Sequence, residues 1–240
     1  MLWLAFPLEW GRVPAVTERH FIDRVDAGER LADALAPHAP QPEVILAIPR
    51  GGVVVGAAVA RRLGMPLDVV VPRKVGAPGN PELAVGAVAE GVEVIDHQGV
   101  RRLGLDPAAV QAAARAESEE VARRTAAYRA GRPPLDLTGR TVALVDDGVA
   151  TGWTCVAAAR WCRSAGAELV ILAVPVGPAG LWRRLGPVVD EVVVLETPEP
   201  YLAVGQVYAR FPQVSDDEVL RCLEGLRKEG EHQGGRQPPR

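Results

Sequence analysis

The stretch VALVDDGVATGWT, residues 142–154, decides the fold that we predict for this chain. Residues 142–145 form a short apolar run of the kind found in a buried parallel strand, and Asp146 and Asp147 follow where that strand should end. Residues 155–163 continue as an amphipathic segment. The stretch therefore predicts a strand, a loop and a helix, with two carboxylates at the carboxyl edge of a sheet.

The loop after the two acids has the composition of a phosphate-binding turn. Gly148 and Gly152 permit close approach of the backbone to a ligand, and Thr151 and Thr154 add hydroxyls where free N–H groups and the helix dipole favour an anion. Neither the Gly-Lys-Ser/Thr of a P-loop nor a G-x-G-x-x-G fingerprint is present. A plain strand-to-helix turn with solvated acids is the alternative, but the combination of acids, glycines and threonines favours a ligand site.

These residues closely resemble the 5-phosphoribosyl-1-pyrophosphate (PRPP) binding motif of the type I phosphoribosyltransferases: an apolar strand, two acids, two small or apolar residues and a Thr-Gly-x-Thr loop. Roughly residues 21–226 resemble a group of predicted phosphoribosyltransferases that carry IPRGG, RKVGAPGNPE and VDDGVATG, found here at 48–52, 73–82 and 145–152. The resemblance implies a Rossmann-like, doubly wound, mostly parallel sheet with a small hood, Mg²⁺ as cofactor, and phosphoribosyl transfer from PRPP to a nitrogen nucleophile such as a nucleobase.

The rest of the chain also alternates strands with helices, which predicts a parallel α/β sheet wound on both faces with ligands outside the strands' carboxyl ends. We expect an N-terminal extension at 1–19, one domain at 20–227 and a disordered tail at 228–240. The helical patterns cover 21–35, 53–63, 107–128, 179–185 and 215–226, and the strand patterns cover 44–48, 67–71, 83–88, 92–95, 169–174 and 191–195. The 83–88 and 92–95 strands are expected to pair as a hairpin.

Composition limits the partners and the compartment. A net charge of −3 gives no general attraction to nucleic acid or acidic membranes, and the apolar opening decapeptide is too short to span a bilayer. Cys155, Cys162 and Cys222 lack a C-x-x-C spacing and are expected to be reduced. These observations predict a cytoplasmic protein that binds small molecules, without a nucleic-acid or membrane partner, and they leave a homodimer open.

Two further loops are candidate anion sites. Arg50, Gly51 and Gly52 follow the 44–48 strand. A diglycine beside an arginine suits an anion, although a plain tight turn is equally consistent with these residues. The resemblance implies that they form a pyrophosphate loop. Arg73 and Lys74 follow the 67–71 strand, and the chain has 25 arginines but only one other lysine. The Gly- and Pro-rich segment after them is expected to be a mobile loop. The resemblance implies that Lys74 and Arg73 contact pyrophosphate.

The resemblance assigns roles residue by residue. Asp146, Asp147 and Lys74 are the expected catalytic residues, and the direct Mg²⁺ ligands are not assigned. The expected PRPP-binding residues are Arg50, Gly51, Gly52, Arg73, Lys74, Asp146, Asp147, Gly148, Val149, Ala150, Thr151, Gly152, Trp153 and Thr154. Ala150 stands where enzymes that act on 6-oxopurines carry an acid, so hypoxanthine and guanine should be poor acceptors. Trp153 is bulky for its position.

Aromatic residues cluster late in the chain. Tyr201 and Tyr208 lie in PYLAVGQVYARF and could stack on a planar acceptor, although simple coverage of the sheet's end is an equal alternative. A PRPP-sensing or RNA-binding regulator with little transferase activity is the alternative function, but the expected basic patch is not evident. A hydrolase is disfavoured because the four histidines are scattered outside the glycine-rich turns.

Overall fold

The computed structural model describes residues 21–234 as two sheets with flanking helices. The predicted extension at 1–19 lies outside the described residues. In chain order the elements are α1 (Arg24–Leu35), β1 (Val44–Ala47), α2 (Gly51–Leu63), β2 (Leu67–Val69), β3 (Arg73–Ala77), β4 (Asn80–Ala89), β5 (Val92–Ile95), α3 (His97–Arg102), α4 (Pro107–Arg129), β6 (Thr141–Val145), α5 (Trp153–Ser164), β7 (Leu169–Val176), α6 (Leu181–Leu185), β8 (Glu191–Glu196), a short 3₁₀ turn (Val204–Val207) and α7 (Asp216–Gly234).

The main sheet has the strand order β2-β1-β6-β7-β8 and is parallel throughout. Alternate residues of its central strands enter different cores: Leu144 packs in the cluster that includes α5, while Ala143 and Val145 pack in the cluster that includes α1, α2 and α7. Because side chains of a strand alternate between faces, both faces of this sheet are buried. The predicted doubly wound, mostly parallel α/β fold is confirmed.

The second sheet, β3-β4-β5, is antiparallel and corrects one prediction. The segment expected to be a mobile loop after Lys74 is a β-hairpin that pairs Lys74 with Ala87. Gly79 lies at the tip with φ +78°, a backbone conformation that suits the tight turn between the two strands. Val75 of the same hairpin packs against α4. The high glycine and proline content of this segment therefore reflects the turn of the hairpin and the irregular register between its two strands. The predicted pairing of 83–88 with 92–95 is confirmed.

The last helix, α7, is longer than the sequence pattern indicates. It continues to Gly234, whereas a disordered tail was expected from Lys228; residues 235–240 of that tail lie outside the described residues. The buried Val219 and Leu223 hold the helix on the core. Beyond the predicted end, Glu229 pairs with Arg61 of α2 at 3.2 Å, which gives the polar last turns a tertiary contact that no local pattern reveals.

The three cysteines are free thiols; Cys155 and Cys162 are buried on α5, and Cys222 is half-buried on α7. Burial raises the pKa of Cys162 to about 12, so its thiol stays protonated. None of the helices within residues 21–234 combines the length and the apolar composition that crossing a membrane requires.

Candidate functional site

Two of the predicted loops meet at the carboxyl edge of the main sheet. β1 and β6 are parallel neighbours, so the turn that follows Ala47 and the acids that follow Val145 lie side by side. A Cβ atom on Gly51 would lie 1.8 Å from Oδ2 of Asp147, and one on Gly52 would lie 2.8 Å from the Cα atom of Asp146. The diglycine therefore lets the start of α2 pack directly against the acid pair. The peptide bond between Pro49 and Arg50 is cis.

Arg24 of α1 also contributes to this site, and the sequence patterns did not predict it. Its Nε donates to Oδ2 of Asp147 at 2.7 Å, and a terminal nitrogen donates to the carbonyl of Pro212 at 2.7 Å. The guanidinium lies 3.8 Å from the ring centroid of Phe211, and the residue is 7% exposed. A signal was available: Arg24 precedes Ala27 and Leu31 at the i+3 and i+7 spacing of the buried helix face, where an arginine needs a partner.

Burial and mutual repulsion set the electrostatics of the two acids. Burial raises the pKa of Asp146 well above its usual value, and the charge of Asp147 raises it further. Burial also raises the pKa of Asp147, while the charge and hydrogen bond of Arg24 oppose that shift. The N–H of Asp147 donates to Oδ1 of Asp146 at 2.8 Å, which fixes the geometry of the pair. One cation is thus shared by two carboxylates, and the site favours additional positive charge.

The loop between the acids and α5 is held by tyrosines. The hydroxyl of Tyr208 donates to the carbonyl of Asp147 at 2.6 Å, and that of Tyr201 donates to the carbonyl of Val149 at 2.7 Å. Burial raises the pKa of Tyr201 to about 12, so its hydroxyl remains a donor. Gly152 caps α5 with φ +80° and no side-chain hydrogen bond. The first N–H groups of α5 therefore have no side-chain cap, as an anion-binding helix start requires.

Arg184 of α6 also contacts this loop and was missed from the sequence. It donates to the carbonyl of Thr151, and its guanidinium lies 5.2 Å from the ring centroid of Trp153. The bulky Trp153 therefore has a partner at the rim of the loop, while Ala150 and Thr151 are exposed there. The pairing joins residues 33 positions apart, so local periodicity carries no signal of it.

The basic residues predicted at the pyrophosphate end have other partners in this structure. A nitrogen of Arg50 lies 4.0 Å from Asp216 at the start of α7. Arg73 forms a 2.7 Å ion pair with Glu117 of α4, and Nζ of Lys74 lies 3.5 Å from a carboxylate oxygen of Glu82. The structure thus brings Gly51 and Gly52 against the acids. Arg73 and Lys74, which lie on β3 of the smaller sheet, are instead held in ion pairs with nearby glutamates.

Tyr208 differs from the acceptor-stacking residue that was expected. It is 7% exposed, with its ring stacked 4.7 Å from Phe211 and tilted 5.4 Å from Phe21. Neighbouring rings already cover it, so little surface remains for a planar ligand, and its contacts are those of a residue that supports the loop. Tyr201 is half-buried and retains partial access.

The acid pair is suited to a metal that is shared with a ligand. Among residues 21–229, whose side chains the structure describes, there is no group of three or more His, Cys, Asp or Glu side chains placed to hold a metal ion by themselves. Magnesium in nucleotide and phosphate sites commonly takes one or two carboxylates and completes its shell with water and phosphate oxygens. Asp146 and Asp147, with raised pKa values and one cationic partner, fit such shared coordination.

The chain is similar to known proteins over most of its length. The model of the phosphoribosyl transferase domain matches residues 24–195. A Mycobacterium tuberculosis protein named "Putative phosphoribosyl transferase Rv0571c" is 48% identical over 205 residues, which are 85% of this chain and 46% of that protein. An adenine phosphoribosyltransferase of Mycobacteroides abscessus is 33% identical over 145 residues, 60% of this chain and 63% of that protein.

Among solved structures, TT1426 from Thermus thermophilus is similar with a TM-score of 0.74 and 44% identity, covering 86% of this chain and 99% of that chain. The chain spans about half the length of the M. tuberculosis relatives that it matches.

Proposed function

Because the chain belongs to the phosphoribosyl transferase family, we propose that it binds PRPP with Mg²⁺ and transfers the phosphoribosyl group to a nitrogen nucleophile such as a nucleobase, releasing pyrophosphate. The observation that carries the proposal is the contact of Gly51 and Gly52 with Asp146 and Asp147. It joins a candidate anion loop to an acid pair. PRPP needs both, because the loop would bind its pyrophosphate and the acids would bind its ribose hydroxyls.

The loop from Gly148 to Thr154 would bind the 5-phosphate through backbone N–H groups at the start of α5. Asp146 and Asp147 would accept hydrogen bonds from the ribose hydroxyls. Their negative charge would stabilise the positive charge that develops on the ring as the bond to pyrophosphate breaks. Arg24 would fix the orientation of Asp147, since its guanidinium is itself held by Pro212 and Phe211.

At the other end of the ligand, the N–H groups of Gly51 and Gly52 and the side chain of Arg50 would meet the pyrophosphate. Bound Mg²⁺ would neutralise part of the pyrophosphate's charge. Lys74 would have to leave Glu82, but that contact is 3.5 Å long and the Glu82 side chain is 92% exposed, so the exchange costs little. Arg73 would need to leave the shorter and less exposed pair with Glu117, and we expect it to contribute less.

The acceptor proposed for testing first is adenine. A relative with 33% identity is an adenine phosphoribosyltransferase, and Ala150 leaves the loop without the acid expected for 6-oxopurines. Tyr201, which is half-buried beside the loop, is the proposed stacking residue. We also propose that the protein is cytoplasmic and binds small molecules, without a nucleic-acid or membrane partner. Gel filtration tests whether it forms a dimer.

The deciding experiment measures PRPP-dependent release of pyrophosphate with adenine, hypoxanthine, guanine, uracil and small amines. We expect turnover with at least one acceptor and poor turnover with hypoxanthine and guanine. Asp147→Asn should lower kcat more than it weakens PRPP binding, since the charge matters most in the transition state. Tight PRPP binding without turnover for any acceptor would favour the PRPP-sensing regulator, and absence of PRPP binding would contradict both functions.

A further inference from the structure

A cavity of about 490 Å³ lies far from the acid pair, at the amino edge of the main sheet. Its wall includes Gly64 and Met65, which precede β2, and Leu67, with which β2 begins. The acid pair follows the last residue of β6, and β2, β1 and β6 are parallel. The cavity and the acid pair therefore occupy opposite edges of one sheet. Small-molecule sites typically have volumes of about 300–1,000 Å³, and this cavity is of that size.

Part of the cavity wall is apolar and comes from separate segments of the chain. Met65 and Leu67 come from the connection into β2 and from β2 itself, Leu135 comes from the segment before β6, and Leu226 comes from α7. Leu67 is buried in the core, whereas Met65 and Leu226 are only partly buried and pack against it. A ligand with an apolar body would cover side chains that the protein leaves partly open.

The charged part of the wall includes three arginines, two of which have no ion-pair partner among the described side chains. Arg61 is paired with Glu229, but neither Arg132 nor Arg227 forms an ion pair with any side chain of residues 21–229. Burial lowers the pKa of Arg227, and the nearby charge of Arg132 lowers it further. Two arginines are thus close enough to repel each other across a cavity, an arrangement that a bound anion would relieve.

The buried acid in the wall does not supply that anion. Asp68 is 4% exposed, and both of its oxygens already accept backbone hydrogen bonds: Oδ1 from the N–H of Val69 at 2.8 Å and Oδ2 from the N–H of Leu135 at 3.1 Å. Its charge, like that of Glu224 on α7, acts on Arg227 in the opposite sense to the charge of Arg132. The role that its contacts indicate is to hold the 132–135 segment, and hence Arg132, against β2.

We propose that this cavity is a second binding site, separate from the acid pair, for a small organic anion with an apolar body. The charged group of the ligand binds between Arg132 and Arg227, and its body packs on Met65, Leu135 and Leu226. Arginine suits this task because its planar fork donates several hydrogen bonds to a carboxylate, sulfonate or phosphate. The proposal does not depend on phosphoribosyl transfer, since it uses none of the residues assigned to that reaction.

Two probes that share an apolar body and differ in charge test the proposal on the full chain. The anion 8-anilinonaphthalene-1-sulfonate and its uncharged counterpart N-phenyl-1-naphthylamine are titrated by fluorescence. We expect the double variant Arg132→Gln/Arg227→Gln to weaken binding of the anion about tenfold, which corresponds to about 1.4 kcal/mol, and to change binding of the uncharged probe less than about threefold. Both arginines are at least partly exposed, so the variant should fold, and a thermal melt verifies this.

The matched control is Arg101→Gln/Arg102→Gln, which removes the same charge from exposed positions of α3 outside the cavity. It should bind both probes like the unmodified protein. Equal anion affinity in the cavity variant and the unmodified protein would overturn the proposal. So would an equal loss in the α3 control, because the effect would then come from net charge. A parallel loss of both probes in the cavity variant would also overturn it, since the arginines would then shape the cavity without selecting an anion.

Discussion

Gly51 is the residue on which the geometry of the candidate site depends most directly. An added Cβ would lie 1.8 Å from Oδ2 of Asp147 and 2.8 Å from Nε of Arg24. Gly51→Ala must therefore displace the ion pair or the start of α2. We expect PRPP affinity, measured by calorimetry, to fall at least about tenfold.

Gly225 provides the matched control for that substitution. A Cβ there meets nothing within 4 Å, and the position is inside α7. Gly225→Ala should leave PRPP affinity unchanged and raise stability by up to about 1 kcal/mol, because alanine is the better helix former. If Gly51→Ala binds PRPP as tightly as the unmodified protein, the close contact with Asp147 does not shape the ligand site.

Asp146 gives a prediction about pH. Its pKa is raised in the folded protein, so above about pH 4 the unfolded chain loses this proton while the folded chain retains it. Stability without ligand should therefore fall as pH rises from about 4 through the folded pKa. Asp146→Asn removes this loss and should raise the melting temperature at neutral pH, by about 2–4 °C for each 1 kcal/mol gained.

Asp136 should behave in the opposite sense in the same melting experiments. The N–H of Thr138 lowers the pKa of this exposed carboxylate, so its contribution is present at neutral pH and lost as pH falls. Asp136→Asn is accordingly not expected to raise the melting temperature at neutral pH. A lower melting temperature for Asp146→Asn would mean that its carboxylate stabilises the ligand-free protein.

At the scale of elements, the sequence predicted what depends on local periodicity. The apolar runs identified the strands of the main sheet, and the acids and glycines just after β1 and β6 meet because parallel neighbours end at one edge. The β3–β4 hairpin was not predicted because residues such as Gly79 and Pro81 are typical of loops, although this glycine makes the hairpin's turn. Arg24 meets Asp147 across 123 positions, a distance at which single-sequence patterns give no pairing.

The short helix α6 supports the phosphate loop through one side chain, which makes it testable. Arg184 donates to the carbonyl of Thr151 and lies over Trp153. The side chain of the adjacent Arg183 lies instead beside Gly180, where an added Cβ would be 3.2 Å from its Nε. Arg184→Ala should raise the KM for PRPP about three- to tenfold, as expected for losing about 1 kcal/mol of a charged hydrogen bond, with little change in kcat. Arg183→Ala is the control and should match the unmodified enzyme. A fall in kcat alone would assign Arg184 to a later step.

At the scale of the whole molecule, the candidate site is where distant parts of the chain converge. Arg24 comes from the first helix, Gly51 from the second, Asp147 from the central strand's end, and Tyr208 from the segment before the last helix. α1, α2 and the end of β6 share one core cluster, whereas Tyr208 packs in a second cluster with Phe21 and Ala27. A ligand that bridges them should therefore stabilise the folded protein as a unit.

The proposed metal requirement can be measured through that stabilisation. At a PRPP concentration 100 times its Kd, binding adds about 2.7 kcal/mol, which in a chain of this size raises the melting temperature by roughly 5–10 °C. We expect this shift with Mg²⁺ and its loss with EDTA, because the pyrophosphate's charge must be shared between metal and protein. Ribose 5-phosphate is the matched ligand: it has the phosphate for the loop before α5 but no pyrophosphate, so its smaller shift should be the same with either addition. A PRPP shift that survives EDTA would remove the metal from PRPP binding, whereas loss of both shifts would indicate that EDTA acts on the protein itself.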